Sequence, residues 1–290
     1  MKKVVMAIGA HADDIEIQAG GTLLKYRDAG YEVVYVMSTN NMSGGVSEIM
    51  PDGQRKTTKE TTIPMMNRRK KECEKAAGIL GTEPIHLDHP QRHYWNGSET
   101  VELRYGCSLP EGVPPNVPSI MTAYEDKVSV DALADLILKK NPECILTHPV
   151  AQVNVEHFST CILATRAYWK AVAAGFKGGM LHWREHHTEF GDFYCRWETF
   201  VDYTPYLEKK MELIGAHRCQ MPGYYLPDFG HRVLALKWGT ACGCGAAEAF
   251  TWVRRSEMGL EEGTNHMPLT LELVNNSRGI FNLSQSKKKD

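Results

Sequence analysis

Two short polar stretches of the sequence hold residue types that bind catalytic metals. The first is His11-Ala12-Asp13-Asp14, and the second runs from His148 to His157. A catalytic divalent ion takes about three imidazole or carboxylate ligands and keeps one position open for water. The two stretches together would supply that set as His11, Asp14 and His157.

The remaining carboxylate of the first stretch has a different predicted role. Adjacent side chains project in different directions, so Asp14 can bind a metal while Asp13 faces the open position and acts as a general base on water. Two other interpretations stay open. The stretch is also typical of a polar turn that caps the next helix. Alternatively, His11 and Asp13 form half of a 2-His-1-carboxylate iron site.

Strands and helices must bring the two polar stretches together. Val4–Ile8 and Val33–Met37 are apolar runs of strand length, separated by a helical segment that we expect to open at Gly20 and to end at Gly30. Further helices are predicted at 67–80, 131–140, 158–173 and 205–216, and strands at 85–87, 144–147 and 197–201. This alternation predicts an α/β fold, a Rossmann-like mostly parallel sheet with helices on both faces. Ligands bind such a sheet at the carboxyl ends of its strands, where both polar stretches lie.

The rest of the chain is predicted to belong to the same domain, residues 1–290. A proline-rich insertion at about 89–128 is expected to be irregular and to form a rim over the site. The Gly- and His-rich stretch 175–194 is predicted to be loop-like, with His182, His186 and His187 at the surface. The tail at about 284–290 is expected to be frayed.

Composition excludes several classes of protein. The chain has 33 Lys and Arg against 35 Asp and Glu, a net charge of −2, so a nucleic-acid partner is not expected. No apolar run reaches the roughly 18 residues of a membrane span, and no signal peptide is recognised, so we expect a cytoplasmic protein. The 8 cysteines are then predicted to be reduced thiols. Cys242-Gly243-Cys244 has no second pair at zinc-finger spacing, so a structural zinc site is not expected there.

Several longer motifs resemble one known family. Ala10–Leu23 resembles the A-H-P-D-D-(E/I)-E-x-x-x-G-G-T-L signature of the LmbE/PIG-L family of metal-dependent N-deacetylases. Asn67–Glu72 is similar to that family's R-x-x-E helix, and Asn154–His157 aligns with its H-P-D-H segment. His217–Gln220 resembles its H-x-S-Q motif, and Ala247–Phe250 its A-E-A-F. These matches run in family order through most of the chain.

The resemblance implies that His11, Asp14 and His157 bind the metal and that Asp13 is the base, which agrees with the assignment made above from residue types and positions. It implies that the metal is zinc, with Fe²⁺ as an alternative in the cell. It further implies that Arg69 binds substrate, although the neighbouring Arg68 could be the residue that faces the site. Glu156, which stands where the family has Asp, is predicted to be another substrate contact.

Two residues depart from the family pattern. Ala12 replaces the usual proline, which loses a fixed φ angle but no metal ligand. Asn154 stands where the family has a histidine thought to steady the oxyanion. An asparagine amide can donate a hydrogen bond to an oxyanion but cannot supply a proton. The acid would then be Asp13 or a nearby imidazole, for which His148 is one candidate.

The resemblance predicts hydrolysis of an N-acetyl group on an amino sugar or a sugar conjugate. The expected partner is therefore a small-molecule amide, and a homo-oligomer is compatible with the family. Two alternatives remain: an amidase that cleaves a larger acyl group, and a catalytically weak protein that binds the same class of ligand.

Overall fold

A seven-stranded sheet forms the centre of the computed structural model, which describes residues 2–103, 109–185, 197, 199–220, 228–258, 273–276 and 279–282. Strands are numbered here in chain order. Those of the central sheet are β1 (Val4–Gly9), β2 (Glu32–Thr39), β5 (Pro84–His89), β8 (Cys144–Thr147), β9 (Gly179–Trp183), β10 (Thr199–Asp202) and β11 (Ala247–Arg254). Three separate hairpins pair β3 (Gly45–Ile49) with β4 (Arg55–Lys59), β6 (His93–Trp95) with β7 (Thr100–Glu102), and β12 (Leu273–Asn276) with β13 (Gly279–Asn282).

The sheet is mostly parallel, which confirms the predicted fold class. Its strand order is β10-β11-β9-β8-β1-β2-β5. Strand β1 pairs in parallel with β2 and β8, and β9 continues the parallel set beside β8. Only β11 runs antiparallel to its neighbours β9 and β10. The carboxyl ends of β1, β8 and β9 therefore lie side by side at one edge.

Helices cover both faces of this sheet. They are α1 (Asp14–Asp28), α2 (Thr62–Ile79), α3 (Ile120–Ala123), α4 (Lys127–Lys140), α5 (Val155–Ala173), α6 (Leu207–Ile214) and α7 (Asp228–Cys242). One apolar core packs α1 and α2 against one face, and a second packs α3, α4 and α5 against the other. Each core is built from apolar residues at helical spacing, such as Ile15, Ala19 and Leu23 of α1. No helix in the described ranges is both long and apolar enough to span a membrane.

Helix α1 begins earlier than the sequence suggested. It starts at Asp14, so Gly20 and Gly21 lie in its middle and do not open it. A Cβ atom on Gly21 would lie 2.3 Å from the ring of Tyr203. The glycine thus permits close packing of the ring on the helix, at the cost of the helix propensity that alanine would give.

Two stretches predicted to be irregular contain regular elements. Strand β9 occupies 179–183, and His182 is buried on it, contrary to the predicted surface position. His186 and His187 lie outside the described residues. The 89–128 insertion contains β6, β7, α3 and the first residues of α4. The predicted frayed tail also lies outside the described residues.

Candidate metal centre

The carboxyl ends of two neighbouring strands place the predicted metal ligands in one pocket. His11 and Asp14 follow β1, and His157 lies in the first turn of α5, which follows β8. His157 faces inward because it shares the buried side of α5 with Cys161 and Ala164. All three candidate ligands are buried.

The ligand atoms lie at metal-binding distances from one another. His11 Nδ1 is 3.0 Å from His157 Nε2 and 3.5 Å from Asp14 Oδ2, and His157 Nε2 is 3.3 Å from Asp14 Oδ1. Two ligands of a tetrahedral zinc ion, each bonded at about 2.0–2.1 Å, are about 3.4 Å apart. The types and spacing of these three side chains therefore fit a divalent cation.

A carboxylate orients His11 from behind. Glu156 Oε2 lies 2.5 Å from His11 Nε2, the ring nitrogen that faces away from the other ligands. Glu156 also accepts hydrogen bonds from the backbone N–H of Arg92 at 2.5 Å and from Gln91 Nε2 at 3.1 Å. Its oxygens are thus engaged by protein groups, which favours a positioning role over the predicted substrate contact.

A second carboxylate orients His157, and sequence reasoning missed it. Glu185 Oε2 lies 2.9 Å from His157 Nδ1, and its Oε1 bonds His148 Nδ1. The other nitrogen of His148, Nε2, accepts a hydrogen bond from the backbone N–H of Ala10. His148 therefore fixes the end of β1 and supports Glu185. Glu185 follows the end of β9, so the strand-end rule would have found it had 179–183 been recognised as a strand.

The charges of the pocket favour a cation. Burial would raise the pKa of Asp14, but His157 and His148 hold it well below its usual value. Burial would likewise raise the pKa of Glu156, but His11 lowers it to about 2. Burial would lower the pKa of His11, but Asp14 and Glu156 raise it to about 10. The carboxylates of Asp14 and Glu156 are thus ionised, and their negative charge favours a bound cation.

Asp13 has an unusual conformation and one unused oxygen. Its φ angle is 116°, a region that residues other than glycine rarely adopt. Its Oδ2 lies 3.3 Å from the guanidinium of Arg69, while its Oδ1 is buried and makes no hydrogen bond with any described residue. Burial raises the pKa of Asp13 to about 6, against the positive charge of Arg69, which lowers it. A carboxylate of this kind can accept a proton near neutral pH.

Of the two candidate arginines, Arg69 is the one at the centre. It lies on the buried side of α2 between Met65 and Cys73, and its guanidinium also bonds the carbonyl of Ala12. Arg68 is exposed and bonds Glu60 through Nε at 2.9 Å and NH2 at 2.6 Å. The helical period therefore separates the neighbours, one into the site and the other to the surface.

Asn154 caps helix α5. Its Oδ1 accepts a hydrogen bond from the backbone N–H of Glu156 at 2.9 Å. This is the N-cap arrangement that asparagine favours, and it explains why the helix starts at Val155 and not at 158 as predicted. With Oδ1 engaged, the amide hydrogens on Nδ2 are the group that could face a substrate.

The residue at the position of the family proline makes a hydrogen bond that proline could not make. Ala12, unlike proline, has a backbone N–H, and it donates to Asn41 Oδ1 at 2.8 Å in a buried position. Asn41 follows β2 in a left-handed conformation, with φ 56°, and its Nδ2 donates to the carbonyl of Thr39. Asn41 thus holds the turn that carries the ligands.

A buried histidine behind Asp13 is a further residue that the motif matching left without a role. His217 Nε2 lies 3.3 Å from Glu16 Oε2, and Glu16 Oε1 accepts a hydrogen bond from Tyr35 at 2.8 Å. In the described part of the chain, the other ring nitrogen of His217, Nδ1, has no hydrogen-bond partner. Burial would lower the pKa of His217, but Glu16 and Asp13 raise it.

The comparisons with known proteins agree with this fold. The profile of a family described as PIG-L, GlcNAc-PI de-N-acetylase, matches residues 6–168. No curated protein sequence matches the chain. Among solved structures, an N,N'-diacetylchitobiose deacetylase from Pyrococcus horikoshii is 20% identical, with TM-score 0.57, over 87% of this chain and 84% of that one.

Two further solved structures are similar. A teicoplanin deacetylase, solved in a zinc-inhibited form, is 16% identical, with TM-score 0.58, over 88% of this chain and 100% of that one. A 4-carboxy-2-hydroxymuconate hydratase from Pseudomonas putida is 21% identical, with TM-score 0.63, over 91% of this chain and 99% of that one. The fold is therefore shared by proteins whose names describe different reactions.

Proposed function

The chain belongs to the PIG-L family of GlcNAc-PI de-N-acetylases, and from that premise we propose that it is a metal-dependent amide hydrolase. Its reaction would remove an N-acetyl group from an amino sugar or a sugar conjugate, in the cytoplasm. The observation that carries the proposal is the pocket itself. Nitrogen and oxygen atoms of three buried side chains lie 3.0–3.5 Å from one another, beside a carboxylate oxygen that no described residue uses.

His11, Asp14 and His157 would hold the ion, with zinc as the first candidate and Fe²⁺ as the alternative. When bound, a divalent ion polarises the amide carbonyl and lowers the pKa of water toward about 7. Asp13 would accept the proton of the attacking water on its free Oδ1. Asp13 would then return that proton to the nitrogen of the leaving amine, because Asn154 has no proton to give.

Other side chains of the pocket would position these groups. Arg69 holds the carboxylate of Asp13 and would bind the substrate beside it. The amide hydrogens of Asn154 would donate to the oxyanion. Glu156 and Glu185 would fix the rings of the two histidines, as carboxylates behind metal-binding histidines commonly do.

A hydratase is a second candidate, which a specific observation favours. Asn154 replaces the family histidine, and a buried guanidinium, Arg69, lies next to the base; such a group is suited to bind a substrate carboxylate. One structure with this fold is named as a hydratase of a carboxylated hydroxymuconate. In that reaction Asp13 would take a proton from the water whose hydroxyl adds to one carbon of a carbon–carbon double bond, and would return it to the other carbon.

Metal content and product analysis test the proposal together. We expect about one divalent ion per chain in the natural protein and none in Asp14→Ala or His157→Ala, with Arg68→Ala as a matched control that keeps the ion. Since one similar structure is of a zinc-inhibited form, the protein should be reconstituted separately with zinc and with iron.

Each reconstituted protein is then offered N-acetylated sugars, amides with larger acyl groups and unsaturated dicarboxylates. Release of acetate from a sugar supports the main proposal. Loss of ultraviolet absorbance from an unsaturated dicarboxylate, with all amides intact, would replace it by the hydratase. Absence of any bound ion after reconstitution would contradict both.

A further inference from the structure

Helix α7 ends in a turn that holds two cysteines on either side of one glycine. Cys242 is the last helical residue, and Gly243 follows with φ 77°. The backbone N–H of Cys244 donates to the carbonyl of Gly239 at 2.8 Å, and that of Gly243 donates to Thr240 at 3.4 Å. This pair of bonds around a left-handed residue is the Schellman motif, a common end for helices.

The close fit of this turn against the helix fixes the backbone on both sides. A Cβ atom on Gly239 would lie 2.6 Å from the carbonyl oxygen of Cys244. Thr204 Oγ1 accepts hydrogen bonds from the next two backbone N–H groups, those of Gly245 and Ala246, at 3.0 and 2.9 Å. The backbone of both cysteines is therefore held in place.

The two thiols consequently lie in contact. Their sulfur atoms are 3.3 Å apart, whereas the sulfurs of a disulfide are about 2.05 Å apart. Cys242 is buried and Cys244 is half-buried, so a small molecule in solvent can reach only the second. A hydrogen bond from Cys244 lowers the pKa of the Cys242 thiol, which favours formation of the first thiolate.

We propose that Cys242-Gly243-Cys244 is a reversible dithiol–disulfide centre that reacts with low-molecular-weight disulfides such as glutathione disulfide. The exposed sulfur of Cys244 attacks one sulfur of glutathione disulfide, passes its proton to the neighbouring thiolate of Cys242 and releases one glutathione as a thiolate, which takes that proton from Cys242 in turn. The thiolate of Cys242 then attacks Cys244 in the mixed disulfide and releases the second glutathione. Two protein thiols are thereby oxidised, one glutathione disulfide is reduced to two thiols, and both protons pass to the released glutathione.

The centre lies on a helix that contributes to a cavity near the metal centre. Trp238 and His231 of α7 line a cavity of about 40 Å³ together with Arg184, the neighbour of Glu185. A disulfide between Cys242 and Cys244 would form at the end of this helix, one turn beyond Trp238. The proposal does not depend on the reaction that the metal centre performs, and it is tested without measuring that reaction.

Peptide mapping of the full-length protein tests the proposal. Trypsin releases residues 238–254 as one peptide that holds both cysteines and no other. After equilibration across ratios of reduced to oxidised glutathione, free thiols are alkylated and the protein is digested. As the fraction of oxidised glutathione rises, we expect this peptide to carry no alkyl group and to weigh two hydrogens less than the unalkylated dithiol. When reduced glutathione is restored, the peptide should again carry two alkyl groups. A peptide that stays doubly alkylated at every ratio would overturn the proposal.

Single serine variants test the order of attack. In Cys242→Ser the exposed Cys244 should accumulate a glutathione adduct, because no second thiol displaces it. In Cys244→Ser the buried Cys242 should stay unmodified under the same conditions. Equal adduct formation in both variants would contradict the assignment of Cys244 as the attacking residue. Circular dichroism of each variant checks that the fold is retained.

Discussion

Helix α1 contacts two buried clusters of charged residues, and they differ in how completely their polar atoms are paired. Around the middle of the helix, Glu248 accepts hydrogen bonds from the backbone N–H groups of Gly21 and Thr22, the Thr22 hydroxyl and Lys210 Nζ, all at 2.5–2.9 Å. At the start of the helix, in the candidate metal centre, the buried Oδ1 atom of Asp13 has no hydrogen-bond partner among the described residues.

The difference fits a structural role for the Glu248 cluster and the role proposed above for Asp13. An unpaired buried polar atom costs about 1–3 kcal/mol, so a folded protein keeps few of them. The Glu248 cluster avoids this cost, because both carboxylate oxygens of Glu248 accept hydrogen bonds. The cluster around Asp13 bears the cost at one end of the same helix, which is typical of groups that act on a metal, water or substrate.

The largest effect is expected from removing the base. Asp13→Asn should lower kcat by about 10²–10⁴-fold, because the amide cannot accept the proton from water. Metal content should not change, since Asn keeps the shape of the side chain and tolerates a positive φ. Steady-state kinetics and elemental analysis of the same preparation measure both. An unchanged kcat would show that Asp13 is not the base, and would contradict the distinction drawn between the Asp13 and Glu248 clusters.

The paired cluster should respond in stability and not in metal binding. Glu248→Gln leaves buried Lys210 without its counter-charge, and we expect the free energy of unfolding to fall by about 3 kcal/mol. Denaturant titration measures this loss, and elemental analysis of the variant should still find the ion. Loss of the ion from folded Glu248→Gln would show that the two clusters act as one.

A carboxylate behind a ligand should have an intermediate effect. Glu185→Gln keeps the size of the side chain but weakens its hold on His157 Nδ1, and we expect metal affinity to fall by about 10–100-fold. Competition with a chromogenic chelator measures the affinity. Glu143→Gln is a suitable control, because Glu143 precedes β8, at the end of that strand opposite the site, and bonds Tyr31 at 2.9 Å. An equal loss of affinity in both variants would argue against a specific role for Glu185.

The smallest effect is expected at the turn itself. Asn41→Leu removes the acceptor of the buried Ala12 N–H, and we expect a loss of about 1–2 kcal/mol of stability together with weaker metal binding. Ala12→Pro removes the same N–H and restores the residue that the family signature has. Introduced into Asn41→Leu, it should recover part of the loss. Additive losses in the double variant would show that the two residues are not a pair.

The sequence predicted which residues of the candidate site lie together where local rules suffice. His11, Asp14 and His157 were found because their spacing after two apolar strands reports which edge of the sheet they share. Glu185 was missed because β9 forms only by pairing between β8 and β11, which are far apart in sequence. His182 interrupts the apolar run of that strand, so the local pattern resembled a loop.

The choice between Arg68 and Arg69 shows a second limit of the sequence. Both arginines match the motif within one position, and only the register of α2 against the sheet places one inside. Asn41 shows a third limit, since its contact with Ala12 joins two loops that no sequence motif connects. Long-range register, rather than residue chemistry, was the missing information in each case.

The backbone of Asp13 has a consequence for how this site could be lost. Its φ of 116° strains any residue with a Cβ atom, at a cost of about 1–3 kcal/mol, and glycine would relieve that strain. In a mutational scan selected for folding alone, Asp13→Gly should be enriched, whereas a scan selected for turnover should eliminate it. Enrichment of Asp13→Gly in the first scan and its loss from the second would show that this position keeps aspartate for turnover, at a cost in stability.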